Sequence, residues 1–219
     1  MMIMRSVSNP SLFEVVDTRT RKTYYGCNQE WYPTYLQRRS GCGPSVASNI
    51  VLYLSRTRRL APGFQRDCGS KEKCVAVLTE MWSAVTPTWL GIPSTQVFAD
   101  AVLSYLRAHN VDAQVKIFDV PDHKRPRVSI DEMVNFIGAA LEQNIPVAFL
   151  NLCNGNEKTL SAWHWVTITA IEHEQDGSGA IATILDEGEF RTLNLALWYD
   201  TTTLGGGFVY FVAITRMME

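Results

Sequence analysis

Predicted helices precede a run of predicted strands in this 219-residue chain, and this order restricts its fold most. Helical periodicity and capping residues predict helices over residues 44–56, 75–85, 95–109 and 130–143. Runs of β-branched and aromatic residues predict strands over 113–120, 146–152, 163–174, 180–186 and 208–216, with a further short strand at 191–195. Helices followed by a mostly antiparallel sheet are typical of an α+β domain rather than of a wound parallel sheet. With no linker visible, we expect a single domain over residues 1–219.

The composition is that of a globular chain, with 46% apolar and 19% charged residues. A chain of this length can bury roughly 70% of the surface that it exposes when unfolded, so its core needs no cofactor or disulfide. No window approaches the roughly 18 apolar residues of a membrane span. The N-terminal residues do not form the apolar stretch of a signal peptide. We therefore expect a cytoplasmic protein without a membrane span and with reduced thiols.

The charges are divided unevenly along the chain. Residues 1–75 carry 12 Lys and Arg against 5 Asp and Glu, whereas residues 76–219 carry 8 against 17. Such asymmetry can indicate a nucleic-acid surface. The basic residues are nevertheless scattered and are not interleaved with aromatic residues, so we expect no nucleic-acid partner. Two oppositely charged parts of one domain are the alternative explanation.

Cys42 is the candidate nucleophile. It immediately precedes a predicted helix, and Pro44 lies in the first turn of that helix, where proline is favoured. The partial positive charge and free amides of a helix N-terminus lower the pKa of a thiol. Gly41 and Gly43 on either side leave the sulfur open to a substrate carbonyl. The alternative is a buried cysteine that only fills space at the start of the helix.

His164 and Asp186 are the candidate partners of this thiol. His164 opens a predicted strand between two tryptophans, and Asp186 ends the next apolar strand. If a turn at 176–179 joins these strands into a hairpin, the two side chains lie next to each other. Asp186 would then accept from the Nδ1–H group of His164 and stabilise the imidazolium. A core histidine and a turn-opening aspartate are the alternatives.

The remaining residues of the candidate site are a donor for the oxyanion and the lining of a cleft. The carboxamide of Gln37, together with the backbone N–H of Cys42, could bind a developing oxyanion. Trp163, Trp165, Gly41 and Gly43 are candidates for the lining of the cleft.

The other histidines and cysteines are assigned no catalytic role. His109, His123 and His173 are expected at the surface. The cysteine spacings contain no C-x₂₋₄-C pair, so no metal site is predicted. Cys68 and Cys74 could form a disulfide if the protein is exported.

The order of four short motifs resembles the papain-like superfamily of cysteine peptidases. These motifs are Gln37, Cys42-Gly43-Pro44, His164-Trp165-Val166 and Leu185-Asp186. Within this superfamily, the chain looks like the C39-like branch, which is related to bacteriocin-processing peptidases. The resemblance covers roughly residues 35–190. It departs from the family in the spacing of Gln37 and Cys42, which is one residue shorter, and in Glu187-Gly188, where many relatives have a proline.

The resemblance implies a papain-like fold with two lobes and a cleft between them. A mainly helical lobe over 35–145 would carry the nucleophile, and a mainly β lobe over 146–219 would carry His164 and Asp186. Residues 1–34 would be an N-terminal extension, and neither they nor residues 60–90 match the family.

The function that follows is that of a cysteine peptidase, a thiol hydrolase acting on peptide or amide bonds of a peptide or protein substrate. Cys42 would attack the carbonyl, His164 would transfer the proton, Asp186 would orient His164, and Gln37 would bind the oxyanion. No cofactor is required. A transglutaminase-like or N-acyltransferase enzyme with the same triad is an alternative. A non-catalytic binding domain, using the aromatic residues 31–35, is another.

Overall fold

The computed structural model describes residues 1–57, 60, 64, 66–89, 91–175 and 179–214. Within them the α-helices are α1 (Tyr35–Ser40), α2 (Cys42–Arg56), α3 (Lys71–Ala84), α4 (Thr95–Ala108), α5 (Ile130–Glu142) and α6 (Leu195–Thr201). The strands are β1 (Met2–Ser6), β2 (Glu14–Val16), β3 (Thr23–Tyr25), β4 (Ala113–Val120), β5 (Val147–Asn151), β6 (His164–Glu174), β7 (Ile181–Asp186), β8 (Glu189–Asn194) and β9 (Gly206–Ala213). The α+β class predicted from the sequence is confirmed.

The main sheet has the strand order β4-β9-β5-β6-β7-β8, and all its described pairings are antiparallel. β5 pairs with the N-terminal half of β6, and β1 pairs with the C-terminal half along the same edge of that strand. β2 and β3 form a separate small sheet. Nearly all of β5 and β6 is buried, because helices pack against these central strands.

Helix α2 lies at the centre of the fold. Its residues from Cys42 to Ser55 are all buried, because it packs against β6 and β5 and also against α3. This packing places the N-terminus of α2, where Cys42 lies, next to the beginning of β6.

Local capping signals account for the helices that were predicted closely. Ser94 and Ser129 accept hydrogen bonds from the third residues of α4 and α5, as N-cap residues do. Helix α3 begins at Lys71 rather than at Val75, because Ser70 caps it in the same way. The turn predicted at 176–179 lies outside the described residues except for Gly179. α1, α6 and β1 were not predicted.

His173 is buried, and its expected surface position is therefore wrong. β1 pairs alongside it, and Arg5 donates from Nη1 to His173 Nε2 over 2.9 Å. β6 also contains a register shift between Ile168 and Ala170, which changes the alternation of side chains along the strand. None of the helices in the described part of the chain has the length and apolar character needed to cross a bilayer.

Candidate active site

Cys42 is the first residue of α2, with Gly41 as the N-cap residue. A Cβ atom on Gly41 would lie 2.5 Å from the Tyr32 ring and 2.5 Å from the Gln37 carbonyl oxygen. One on Gly43 would lie 2.7 Å from the Ile92 side chain. Both glycines therefore allow close packing around the start of the helix, and Cys42 is left only 9% exposed.

His164 and Asp186 lie side by side because β6 and β7 pair antiparallel, with His164 at the start of one strand and Asp186 at the end of the other. The ring Nε2 of His164 donates to Asp186 Oδ1 over 2.7 Å. This corrects the expectation that Nδ1 faces the carboxylate. Nδ1, the ring nitrogen that Asp186 does not engage, is left for the Cys42 thiol, which lines the same cavity as the His164 ring.

The thiol and the imidazole stabilise each other's charged forms. Burial raises the pKa of the Cys42 thiol, but the hydrogen bond and charge of His164 outweigh it, with help from the backbone N–H groups of Trp165 and Gly43. The pKa of Cys42 is therefore below its ordinary value. Burial lowers the pKa of His164, but hydrogen bonds to Asp186 and Cys42 raise it above the ordinary imidazole value. The arrangement favours a thiolate–imidazolium pair.

Arg191 forms a hydrogen bond with the second oxygen of the Asp186 carboxylate. Its Nη1 donates to Asp186 Oδ2 over 2.8 Å, while Oδ1 accepts from His164. Asp186 is only 8% exposed, so both oxygens are bonded in a largely water-excluded place. Arg191 also approaches Glu187, which lines the cavity of Cys42, and Glu189 at the start of its own strand. Arg191 was not predicted as a site residue, because no sequence motif marks it.

Gln37 is not among the residues that line the cavity containing Cys42 and His164. It lies in α1, where its Oε1 accepts from the backbone N–H and the hydroxyl of Thr34 in a capping box. The glutamine that lines this cavity is Gln29. Sequence reasoning missed Gln29, which precedes Cys42 by thirteen residues and carries no motif of its own.

The two tryptophans beside His164 have different surroundings. Trp165 is buried, stacks on Phe98 at 4.3 Å and donates from Nε1 to the Ile92 carbonyl. It borders the Cys42 cavity from the core. Trp163 is 53% exposed and has a positive φ of 54°, an unusual conformation for a bulky residue. Trp163 is therefore the exposed aromatic side chain next to His164.

Among the described residues, one group of three metal-ligating side chains lies close together. The sulfur atoms of Cys27, Cys68 and Cys74 are within 4.8 Å of one another. Cys68 and Cys74 form a disulfide, so the expectation of reduced thiols is wrong for this pair. Because two of the three sulfurs are joined, this group offers one free thiol.

No protein-family model and no curated protein sequence matches the chain. Among solved structures, the chain is similar to UfSP from C. elegans, with a TM-score of 0.51 and 10% sequence identity. The likeness covers 97% of this chain and 34% of the UfSP chain, so the chain spans about a third of that protein's length. At this identity the likeness shows the fold, which is the papain-like α+β fold of cysteine proteases.

Proposed function

We propose that the chain is a cysteine peptidase-type hydrolase that cleaves peptide or amide bonds with Cys42, His164 and Asp186. The observation that carries this proposal is that Cys42, His164 and Asp186 line one cavity, in which His164 is hydrogen-bonded to Asp186. The papain-like fold supports it, because Cys42 lies at a helix N-terminus and His164 on the adjoining sheet. Membership of the C39-like branch and a peptide or protein substrate belong to the same proposal.

In the proposed reaction, the Cys42 thiolate attacks the substrate carbonyl carbon and forms a tetrahedral intermediate. The His164 imidazolium gives its proton to the leaving amine as the carbon–nitrogen bond breaks, which leaves an acyl-thioester on Cys42. His164 then takes a proton from water, whose oxygen attacks the thioester, and the acid is released together with the Cys42 thiolate, which restores the thiolate–imidazolium pair. Asp186 holds the ring through Nε2 in both steps.

The oxyanion is assigned to the backbone N–H of Cys42 and to the carboxamide of Gln29. The first amides of a helix have no intrahelical partner, so the N–H of Cys42 is free to donate. Gln29 is the glutamine in the cavity wall, whereas the carboxamide oxygen of Gln37 is bonded to Thr34. Gln29 therefore replaces Gln37 in the proposed role.

Gln29→Ala should lower kcat/KM by about 10²- to 10³-fold, because removing one oxyanion donor has an effect of that size. Gln37→Ala is the matched control and should change kcat/KM only a few-fold. Gln37→Ala should instead lower the free energy of unfolding by about 1 kcal/mol, because Gln37 is one half of the capping box of α1. Initial rates of peptide hydrolysis and thermal melts of both variants measure this. A large rate loss in Gln37→Ala alone would return the role to Gln37.

Alkylation by iodoacetamide should single out Cys42 at pH 6, provided that Cys153 is first replaced by serine. The pKa of Cys153 is lowered to about 7 by hydrogen bonds from the Thr203 hydroxyl and from backbone N–H groups, so Cys153 would compete. Burial raises the pKa of Cys27 to about 12, so almost none of it is thiolate at pH 6 and its alkylation should be slow.

In the Cys153→Ser chain, His164→Ala should slow the alkylation of Cys42 at pH 6 by tenfold or more. Removing His164 leaves burial to raise the thiol pKa, and each unit of pKa changes the thiolate fraction about tenfold. Labelling rates at each cysteine are read by peptide mass spectrometry from pH 5 to 9. Equal rates with and without His164 would contradict the thiolate–imidazolium pair.

Arg191→Met should lower kcat about tenfold and leave KM nearly unchanged, which would make Arg191 a positioning residue. A hydrogen bond to a charged group contributes about 1.5–3 kcal/mol, and only part of it acts through the orientation of Asp186. Arg191→Lys, which keeps the charge, should recover part of the rate. A change in KM without a change in kcat would instead assign Arg191 to substrate binding.

A further inference from the structure

A second group of sulfur atoms lies behind the candidate active site. Cys27 follows β3, Cys68 precedes α3, and Cys74 lies in the first turns of α3. All three are buried. Cys68 and Cys74 are joined in a disulfide, and the thiol of Cys27 lies 3.5 Å from the sulfur of Cys74. A free thiol in contact with a disulfide is the arrangement that thiol–disulfide exchange requires.

We propose that Cys27, Cys68 and Cys74 form a thiol–disulfide exchange site in which the disulfide moves between Cys68–Cys74 and Cys27–Cys74. The Cys27 thiolate attacks the Cys74 sulfur, so that a Cys27–Cys74 bond forms as the Cys68–Cys74 bond breaks. Cys68 leaves as a thiolate and takes up the proton that Cys27 has lost. One disulfide and one thiol are present before and after, so no external oxidant or reductant takes part.

The surroundings of the three sulfurs set the rate of this exchange. A small cavity bordered by all three cysteines is also lined by Arg56. Burial raises the pKa of Cys27 to about 12, while the guanidinium of Arg56 acts in the opposite direction. The thiolate is therefore scarce at neutral pH, and the exchange should be slow but accelerate with pH. Contact between the reacting sulfurs favours attack despite the low thiolate fraction.

The exchange would involve a residue that the sulfur cluster shares with the candidate active site. Cys27 lines both the small sulfur cavity and the cavity that contains Cys42 and His164. Its backbone N–H donates to Asn49 Oδ1 over 2.7 Å, which holds the segment against α2. In the Cys68–Cys74 form the free thiol therefore belongs to Cys27, a residue that also lines the active-site cavity. In the Cys27–Cys74 form it belongs to Cys68, which does not line that cavity.

Disulfide mapping of the full chain tests the exchange without any assay of activity. Cleavage after Lys and Arg places Cys27, Cys68 and Cys74 on separate peptides, which span residues 23–38, 67–71 and 74–107. The chain, purified without reductant, is shifted from pH 5 to pH 7, 8 or 9, and acid stops the reaction at intervals. N-ethylmaleimide then blocks the free thiols before digestion and mass spectrometry.

Peptide 74–107 should be found joined to 67–71 and, increasingly with time, to 23–38, until the ratio is constant. The initial rate should rise about tenfold per pH unit, since the thiolate fraction of Cys27 does so below its pKa. Cys42→Ser and Cys153→Ser should show the same rates. Cys68→Ala, oxidised with glutathione disulfide, should form the Cys27–Cys74 bond.

The proposal is overturned if Cys27 carries maleimide in every wild-type sample at all three pH values. It is also overturned if peptide 23–38 is found joined only to the peptide containing Cys42 or Cys153. The wild-type result decides the matter even if Cys68→Ala does not fold.

Discussion

Cys42→Ala is expected to reduce peptide hydrolysis by about 10⁴-fold or more, to the uncatalysed background. The Cys42 thiolate is the only nucleophile that attacks the substrate amide in the proposed reaction, and removing a residue of a triad has effects of this size. Without the sulfur, His164 keeps Asp186 but loses the group whose proton it exchanges. Binding of the substrate does not depend on the sulfur, so KM for any residual activity should change little.

Initial rates on a mixture of fluorogenic peptides, with the products identified by mass spectrometry, measure this effect. Cys153→Ser is the matched control, because Cys153 also has a lowered pKa but lies outside the cavity of Cys42. It should retain the parent rate. Retention of more than a tenth of the rate by Cys42→Ala, with a normal melting curve, would contradict the proposed nucleophile. Transfer of the acyl group to added amines in preference to water would identify an acyltransferase instead.

The elements that could be predicted from the sequence carry their own boundary signals. Helices α4 and α5 begin after Ser94 and Ser129, whose side chains cap them, and α2 has a proline in its first turn. β4 was predicted over its full length because it alternates and is bounded by loops. These signals are local, so they do not depend on the rest of the fold.

The elements that were missed depend on distant contacts or on weak signals. β1 is an edge strand, and its partner in β6 lies more than 160 residues away in the sequence. Its residues alternate between exposed and half-buried, and none of them is fully buried, so its apolar face is weakly marked. α1 and α6 are short, although Thr34 with Gln37 and Asn194 are capping signals that could have indicated them.

The candidate site illustrates the same division. Cys42, His164 and Asp186 each lie at the end of an element, so the pairing of β6 with β7 and the packing of α2 bring them together. Gln29 could not be selected over Gln37, because the path of the chain before α2 is set by contacts such as Cys27 with Asn49. The choice of Nε2 over Nδ1 is likewise a matter of side-chain rotation, which no sequence pattern encodes.

Asp186→Asn is expected to lower kcat by about 10²- to 10⁴-fold. The reason is the change in hydrogen bonding at His164, in addition to the loss of a negative charge. In this chain the carboxylate accepts two hydrogen bonds, from His164 at one oxygen and from Arg191 at the other. Asparagine has one carbonyl oxygen and one NH₂ group, so it can accept from only one of them. The NH₂ group must then face the other donor.

The guanidinium always carries its protons, whereas His164 can lose the one on Nε2. The asparagine oxygen should therefore turn to Arg191 and its NH₂ group to His164. This orientation places the remaining ring proton on Nδ1, towards Cys42, and His164 can no longer accept the proton of the thiol. A wrong tautomer of this kind costs about 10⁴-fold in rate in serine proteases.

Removing Arg191 should relieve the conflict. In the double variant Asp186→Asn with Arg191→Met, the amide is free to turn its oxygen to Nε2 of His164 and restore the reactive tautomer. The double variant should therefore be about tenfold or more faster than Asp186→Asn alone, although Arg191→Met by itself slows the reaction. The kcat values of the parent, the two single variants and the double variant form a double-mutant cycle. The loss of rate in the double variant should be smaller than the sum of the two single losses. A double variant as slow as Asp186→Asn, or slower, would mean that Arg191 does not control the orientation of residue 186.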